Sequence, residues 1–441
     1  MATPTNTLLT IGMITRRALM VLENNLTFTK YVSRTYDDQF ARSGAKIGAT
    51  LNLRLPVQYL VTTNNVTFQP QNVIEQQIPL VLNNQHHVDM NFSSQDLRLY
   101  IDEFSDRIIQ PAIASLANEI DRRGLLLYQQ VPNIVGNFVA ATGVGMPPGG
   151  IYGATNTGQV DTAGNALFGY GQAYVKLDNE ATPRDNLRST IINPNAQNYA
   201  VASLSGLFHA STEIEEQYRS GNMGISGGSK YSMDQNVAVQ TFGPLGGTPL
   251  TAAPLPTAGS TTIGSSGWTG GLNLNVGDVI TFAGAFAVNP QSRVSTGQLR
   301  QFVVTQAFTN AAGGGTINFA PAIYGPGDPR QNVTAYPLSG VAITAFAPAN
   351  GVAAQNLAFH RDAFAVASVD LEMPGGVDMA ARVASRKLGF SMRLVRQYDI
   401  NNDLFPCRVT LKSNTYSKSA HKNSYKYSRE CLVGQEAPVA A

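Results

Sequence analysis

The feature that most constrains the fold of this chain is one long stretch with helical periodicity, Ser93–Gln130, in a sequence otherwise typical of strands and loops. Ser93, with Asp96 three residues later, predicts a loose capping box. Pro111 interrupts the pattern and predicts a kink or a break. The complete helix would reach about 55 Å, long enough to cross a domain. Its apolar residues recur at the three- and four-residue steps of one helix face: Leu97, Ile101, Phe104, Ile108, Ile113, Leu116 and Ile120.

An N-terminal segment, 1–45, comes first in the chain. Residues 8–25 have the pattern of an amphipathic helix, whereas 26–45 have no clear periodicity and are typical of an extended arm that lies across a surface. Arg16 and Arg17 follow the apolar run instead of preceding it, which is the reverse of a signal peptide. We therefore expect a soluble protein that is made in the cytoplasm. Both arginines are candidate subunit contacts.

Residues 46–92 are β-like throughout, with good alternation in GATLNLRLP. Three prolines argue against central strands, because proline removes a ladder donor: Pro56, Pro70 and Pro79. The segment therefore predicts a long polar hairpin that projects from the body. Such a hairpin has too little core of its own and normally lies on a neighbour. Its turn, and the run beyond the turn, contain candidate contact residues: Thr62, Asn64, Asn65 and Phe68.

Three further segments follow the helix. Residues 132–242 begin with a Gly-rich stretch and continue as a mixed α/β unit. Between 243 and 356 the chain is rich in Thr, Gly, Ala and Val, and its short, closely spaced strand patterns predict a small β-barrel or sandwich. Residues 357–417 return to strongly alternating strands, which should rejoin a sheet begun earlier. We therefore predict that 243–356 is inserted into a larger domain.

The last segment, 418–441, begins inside a basic stretch, 408–429, that contains no acidic residue. Basic residues with interleaved aromatics bind single-stranded nucleic acid or a phosphate backbone. A tail of this kind also docks on an acidic patch of a neighbouring subunit. The two interpretations have equal weight, because the whole chain carries a formal net charge of only +2. The candidate contact residues are Lys418, Lys422, Tyr425 and Tyr427.

The composition gives a first indication of assembly. Charged residues make up 14% of the chain, against roughly 25% in typical soluble proteins. The surface must therefore be rich in uncharged polar residues or be buried against other chains, although a secreted β-protein would share this property. The net charge points to neither nucleic acid nor an anionic membrane, and no segment approaches the length of a membrane span. Cys407 and Cys431 match no disulfide framework or metal motif, so we expect free thiols in a reducing compartment.

No motif in the chain predicts catalysis. None of the histidines stands in a metal-binding spacing. The glycine-rich stretch 224–230 resembles a phosphate loop only superficially, because Ser229 separates Gly228 from Lys230. There is no nucleophile elbow of the GxSxG type. We therefore expect no enzymatic activity, no cofactor and no metal.

The order of these parts resembles the major capsid proteins of tailed double-stranded DNA bacteriophages, and specifically the branch of the Salmonella short-tailed phage coat protein. The resemblance covers the first 130 residues well, the segment 243–356 moderately, and 132–240 only in layout. The strings that carry it are MITRRALMVLENNLTFTKYV, GAKIGATLNLRLP, HHVDMNFSSQDLRLYIDEFSDRIIQP, SLANEID and VGDVITFAGAF.

The resemblance implies an α+β fold of the Hong Kong 97 type. Its parts would be an N-terminal helix and arm (1–45), an extended β-hairpin loop (46–92), a spine helix (93–131), peripheral and axial domains (132–242 and 357–417), an inserted small β-barrel domain (243–356) and a basic tail (418–441). Subunits of that family form pentamers and hexamers, which close into an icosahedral shell around double-stranded DNA. The implied location is the virion, after assembly in the host cytoplasm.

The resemblance also implies partners. These are many copies of the chain itself, a scaffolding protein during assembly, a portal protein at one vertex and packaged DNA on the inner face, with no membrane. A β-rich phage tail, fibre or adhesin protein is the main alternative. It would explain the low charge and the Thr/Gly/Asn composition, but not the capped long helix.

Overall fold

Strands dominate the part of the chain that the structure, a computed structural model, describes. Few helices lie in the described ranges, in agreement with the strand-rich pattern of the sequence outside its long helical stretch. The described residues are 20, 22, 25–34, 50–55, 57, 59–61, 70–71, 75–82, 84–93, 110–135, 166–198, 224–226, 228–310, 313–347, 349–384, 390–417 and 430–436.

The helices are α1, Gln110–Leu125, and α2, Ala166–Asn179, with short 3₁₀ helices at Phe28–Lys30, Leu126–Gln130 and Arg361–Ala363. The strands are β1 Thr50–Leu55, β2 Gln76–Val81, β3 Gln85–Ser93, β4 Ile134–Val135, β5 Arg188–Ile192, β6 Ile225–Ser226, β7 Ser229–Met233, β8 Val239–Thr241, β9 Gly247–Ala252, β10 Ser260–Trp268, β11 Gly271–Leu274, β12 Val279–Val288, β13 Ser295–Val304, β14 Phe308–Asn310, β15 Gly314–Ile323, β16 Ile343–Ala345, β17 Val352–His360, β18 Phe364–Ser368, β19 Met379–Ala384, β20 Ser391–Arg396, β21 Leu404–Ser417 and β22 Glu430–Glu436.

The chain divides into two compact units, each assembled from separate stretches of sequence. The first contains Met1–Leu53, Pro79–Gly124 and Ala365–Tyr416, and the second contains Arg54–Ile78, Leu125–Phe364 and Ser417–Ala441. The chain therefore returns to each unit after leaving it. From Ala365 the chain returns to the first unit, where β21 pairs with the earlier strand β3. The alternating pattern of 357–417 predicts such a return to an earlier sheet.

The first unit contains a five-stranded sheet in the order β18-β21-β20-β19, with β3 also paired to β21. In β20 and β21 alternate side chains are buried, as the period of two requires. Met392 and Leu394 lie on the buried face beside Leu411 and Val409 of the neighbouring strand. This alternation explains why the sequence pattern of β20 and β21 predicts strands.

Helix α1 belongs to the first unit and confirms part of the predicted long helix. Its apolar face is buried, including Ile113, Leu116 and Ile120. The stretch 94–109, and with it the predicted approach to Pro111, lies outside the described residues. Ser93, which the sequence pattern places at the start of the helix, is instead the last residue of β3, where it pairs with Leu404.

The second unit contains a mixed seven-stranded sheet, in the order β4-β22-β17-β5-β7-β6, with β8 also paired to β17. Two of its pairs, β5–β7 and β4–β22, are parallel. Helix α2 packs in the hydrophobic cluster of this sheet through Ala173, Tyr174 and Leu177, beside Ile192 and Tyr231. In the described part of 132–242, the predicted mixed α/β pattern corresponds to helix α2 and to strands of a sheet with both kinds of pairing.

The second unit also contains a separate sheet that closes on itself, in the order β16-β12-β13-β15-β10-β9. A bridge between Leu250 and Ala342 joins β9 to the strand end beside β16. We call this closed sheet, Gly247–Ala345, the barrel. Its core is aromatic: the rings of Phe282, Phe302 and Phe319 lie 5.0–5.7 Å apart, centroid to centroid.

The chain enters and leaves the barrel at one place. The Phe242 backbone N–H donates to the Gly351 carbonyl at 2.8 Å, and the Asn350 N–H donates to the Gly243 carbonyl at 3.1 Å. Just outside these bonds, β8 and β17 pair with each other. The two ends of the segment 243–350, which contains the barrel, therefore lie next to each other.

Candidate assembly surfaces

A two-stranded ribbon is formed by β1 and β2, which pair with each other. Beyond the strands, the side-chain amide of Gln71 extends the pairing: its Oε1 accepts from the Leu60 backbone N–H at 2.8 Å and its Nε2 donates to the Leu60 carbonyl. Tyr59 and Val61, on either side of Leu60, are exposed. We call residues 50–61 and 70–81 the ribbon. A two-stranded ribbon carries little core of its own and gains stability by packing on another surface.

The strand Gln85–Ser93 lies inside the segment predicted as a hairpin, 46–92, but it belongs to another sheet. Its residues pair with β21 from Leu404 to Lys412. The exposed side of this pair carries an ion pair between Arg408 and Asp89, with 2.6 Å between Nε and Oδ1. The hydrogen bond from Arg408 lowers the pKa of the Asp89 carboxyl.

A groove of about 560 Å³ lies over this part of the five-stranded sheet. Cys407 at its base is buried and free, and burial raises the pKa of its thiol to about 11. A thiol with this pKa stays protonated at neutral pH, so it is a poor nucleophile. The groove therefore offers no reactive thiol at neutral pH. It is lined by Asp89, Met90, Asn91, Pro374, Arg393, Val395, Gln397, Pro406, Cys407 and Arg408.

The N-terminal segment is fixed to helix α1 by one buried carboxylate. Asp121, which is 1% exposed, accepts hydrogen bonds from the backbone N–H groups of Thr27 and Thr29. Beside it, the ring of Phe28 lies so close to Gly124 that a Cβ at that position would be 2.4 Å from Phe28 Cδ1. The carboxylate and the glycine together hold the 3₁₀ turn at Phe28–Lys30 against the helix.

The barrel is attached to the rest of its unit through buried polar side chains. Arg300 and Glu180 form an ion pair in which both side chains are 4% exposed. The Gln301 amide joins the backbone of Ile134, accepting from its N–H at 3.0 Å and donating to its carbonyl at 2.9 Å. These directional contacts fix the orientation of the barrel more strictly than apolar packing alone.

A second polar cluster lies at the base of the barrel. The Asp278 carboxylate, 2% exposed, accepts from the backbone N–H groups of Asn275 and Gly243 and from the Gln240 amide. Gln240 in turn accepts from the Tyr128 hydroxyl. Burial raises the pKa of the Asp278 carboxyl. The cluster thereby ties the base of the barrel to β8 and to the turn that follows α1.

The geometry of the described residues offers no arrangement for metal chemistry. Within these residues, no three His, Cys, Asp or Glu side chains lie close enough to hold an ion. The buried His360 instead caps a 3₁₀ turn: its Nδ1 accepts from the Asp362 N–H at 3.3 Å, and its Nε2 lies 3.0 Å from Asp185 Oδ1. Among the helices that the structure describes, none is long and apolar enough to cross a membrane.

The ten residues predicted as subunit contacts all lie outside the described residues. Sequence reasoning did not single out the buried anchors Asp121, Glu180 and Arg300, because charged residues at helix or strand positions are usually solvated. It also missed Val294, an exposed apolar residue in a polar turn, although that contrast is visible in the string NPQSRV. The ten predicted contact residues are Arg16, Arg17, Thr62, Asn64, Asn65, Phe68, Lys418, Lys422, Tyr425 and Tyr427.

These features define a structural subunit with a two-stranded ribbon and a firmly seated barrel, and comparison with known families identifies its class. The sequence profile of the family described as "P22 coat protein - gene protein 5" matches residues 1–422. The chain therefore belongs to this coat protein family. It is a major capsid protein that forms the shell of a bacteriophage, and the alternative of a tail, fibre or adhesin protein is set aside.

Several solved structures are similar to the chain, some along most of its length and one over a shorter part. A chain from Mycobacterium phage Che8 has 11% identity and a TM-score of 0.43, covering 92% of this chain and 90% of its own. The mature capsid of bacteriophage PhiM1 has 8% identity and a TM-score of 0.42, with coverages of 94% and 88%. The CUS-3 coat protein I-domain has 23% identity and a TM-score of 0.18, with coverages of 22% and 95%. No curated protein sequence matches the chain.

Proposed function

We propose that this coat protein forms pentamers and hexamers that close into an icosahedral shell around double-stranded phage DNA. The ribbon is the observation that carries the proposal. It consists of two strands paired only with each other among the described residues, and such a pair is marginal in water by itself. In a shell built from copies of one chain, an adjacent copy supplies the surface on which the ribbon lies. The ribbon is then the extended loop of a Hong Kong 97-type fold.

The remaining parts of that fold are assigned by their position. Helix α1, with the stretch before it, is the spine, and the two sheets outside the barrel belong to the peripheral and axial domains. The barrel is an inserted domain, and the meeting of its ends at Phe242 and Gly351 supports this assignment. The extended loop is limited to about 50–81, because Gln85–Ser93 pairs in the five-stranded sheet.

The proposal includes the other components of a phage head. A scaffolding protein assists assembly in the host cytoplasm, a portal protein occupies one vertex, and DNA lies against the inner face of the virion shell. The chain has a structural role without catalysis. Family membership supports these partners. The ten predicted contact residues, among them Arg16 and Lys418, remain proposed subunit contacts.

Deletion of the tip of the ribbon tests the proposal. Removal of Val61–Gln71 should leave a soluble, folded subunit that no longer forms shells, because the hairpin contributes little to its own unit and much to its neighbour. Electron microscopy of the assembly reaction and circular dichroism of the free subunit are the measurements. A Gly-Ser insertion at the exposed turn Leu338–Gly340 is the control and should assemble normally. Normal particles from the deleted protein would contradict the assignment of the ribbon.

A further inference from the structure

Three large apolar side chains are exposed where the ribbon approaches the barrel. Val61 is 88% exposed, Val294 is 64% exposed and Tyr59 is 56% exposed. They come from two stretches more than 200 residues apart in the sequence that belong to the same unit. Single exposed apolar residues are ordinary on protein surfaces, whereas a group of them next to a projecting element marks an interaction site.

Arg293 joins the two stretches. Its Nη2 lies 3.5 Å from the Tyr59 carbonyl oxygen and 2.7 Å from the Pro329 carbonyl oxygen, and its Nη1 lies 2.9 Å from the Asp328 carbonyl oxygen. The backbone of Arg293 has a φ of 58°, a conformation that L-residues adopt rarely. The guanidinium thus holds one ribbon carbonyl and two barrel carbonyls at one point.

The loop that carries Val294 is rigidly built. The Asn289 carboxamide oxygen accepts from the backbone N–H groups of Gln291 and Ser292 at 2.9 and 3.0 Å. The Asn289 N–H donates to the Val294 carbonyl at 2.9 Å, and the Asn289 carbonyl accepts from the Arg293 N–H at 2.8 Å. These polar groups of the turn form hydrogen bonds with one another, while the Val294 side chain is exposed to solvent. A pre-formed apolar surface of this kind loses little conformational entropy on binding.

The charged side chains of the neighbouring residues 328 and 330 also form their contacts within the chain. Arg330 and Asp328 form an ion pair at 2.9 Å, and the Arg330 guanidinium lies over the Tyr324 ring at 4.1 Å from its centroid. The three apolar side chains themselves carry no charge, and the positive charge beside them, on Arg293, is directed at backbone carbonyls. Such a surface suits another apolar protein surface and does not suit a phosphate backbone.

We propose that Tyr59, Val61 and Val294 form a composite surface, the ribbon–barrel patch, that binds a second copy of this chain. The occupant is a second copy because the chain forms a shell from copies of itself, and because the patch is continuous with the ribbon that reaches a neighbour. The inference rests on that proposed role of the ribbon. It adds that the barrel takes part in the same contact and that Arg293 positions the two halves of the patch.

The test is a charge placed in the barrel half of the patch. Val294→Asp should lower the yield of shells at a fixed subunit concentration by about tenfold or more, because a buried unpaired carboxylate opposes association. The free subunit should remain folded by near-UV circular dichroism. Leu338→Asp is the matched control, since Leu338 is 71% exposed on another loop of the barrel, and it should assemble as the unchanged protein does. Normal assembly of Val294→Asp would overturn the inference.

A second variant guards against misfolding and separates the two proposals. Val294→Cys should react with a maleimide in free subunits and be protected about tenfold in shells, as mass spectrometry of the labelled peptide would show. Equal labelling in both states would overturn the patch. If deletion of Val61–Gln71 stops assembly while Val294→Cys remains equally reactive, the ribbon keeps its role and the patch is wrong. If neither deletion nor substitution affects assembly, the proposed role of the ribbon fails as well.

Discussion

At the scale of single residues, the buried ion pair of Arg300 and Glu180 shows what holds the barrel in place. Taking two charges out of water is costly, and their attraction offsets the cost only in good geometry. The ion pair therefore contributes more to the orientation of the barrel than to the free energy of unfolding. The matched hydrogen bonds of Gln301 with the Ile134 backbone have the same effect. A barrel fixed in this way presents Val294 in one direction.

Glu119 gives a prediction on pH. Hydrogen bonds from Arg122 and Arg123 lower the pKa of its carboxyl to about 2. Because this pKa is below the unperturbed value, the ionised form is favoured in the folded state. Its contribution to stability is present above pH 4.5, the unperturbed pKa, and is lost as the pH falls toward about 2. The arginines are half exposed, so we expect only about 1 kcal/mol.

The measurement is the free energy of unfolding of the free subunit against pH. Glu119→Gln should be less stable than the unchanged protein at neutral pH, and the difference should shrink as the pH falls from about 4.5 to about 2. Glu75→Gln, which removes a carboxylate at an exposed position, serves as the control and should leave the free energy of unfolding at neutral pH unchanged. A difference that is constant over this range would show that the arginine pairs do not stabilise the fold.

At the scale of elements, two helical glycines respond in opposite ways to one substitution. Alanine favours a helix over glycine by about 1 kcal/mol. Nothing lies within 4 Å of a Cβ at Gly171 in α2, so Gly171→Ala should be stabilising. At Gly124 in α1 the same methyl group would meet the Phe28 ring at 2.4 Å. Gly124→Ala should therefore lose about 1–3 kcal/mol through overpacking.

Thermal or urea unfolding of the two variants checks this pair of expectations. The combination Gly124→Ala with Phe28→Leu should recover part of the loss, because the smaller side chain makes room for the methyl group. If Gly124→Ala were as stable as Gly171→Ala, the Phe28 contact would be absent from the protein in solution.

The sequence predicted well which residues of an element are buried, but it did not predict which strands pair with each other. The buried positions of α1, such as Ile113 and Ile120, follow directly from their three- and four-residue spacing. The strand Gln85–Ser93 has the same kind of alternation as the ribbon strands, so its pairing with β21 more than 300 residues later could not be foreseen. Ser93 was predicted as a helix cap because capping signatures are local, whereas its pairing with Leu404 is a long-range contact.

The assembly surfaces were predictable only in part, for the same reason. The turn and proline pattern of 46–92 indicated an exposed hairpin, and β1 pairs with β2 in the structure. The patch at Val294 could not be foreseen, because it depends on Arg293 reaching a carbonyl on a distant stretch. Nor does the sequence indicate that Glu180 is buried, since it directly follows α2 and two charged residues, Lys176 and Asp178, lie close before it.

At the scale of the whole molecule, the barrel should fold without the rest of the chain. Its core is its own, and its ends meet. A polypeptide from Gly243 to Asn350 should give a cooperative unfolding transition. Trp268, the only tryptophan of the chain, is buried against Phe308 and reports this transition by fluorescence. An emission spectrum of solvent-exposed tryptophan at all urea concentrations would contradict the prediction.

The hydrogen bond between Phe242 and Gly351 has a consequence for the way the gene can change. A stretch of coding sequence whose product begins and ends at one point can be gained, lost or exchanged as a cassette, because the flanking strands β8 and β17 keep their pairing. Sequence change in the barrel and sequence change in the sheets outside it would then be largely independent within one gene, except at the contact proposed at Val294. A replacement barrel would keep the pairing of β8 with β17, but it would also have to preserve the subunit contact proposed at Val294.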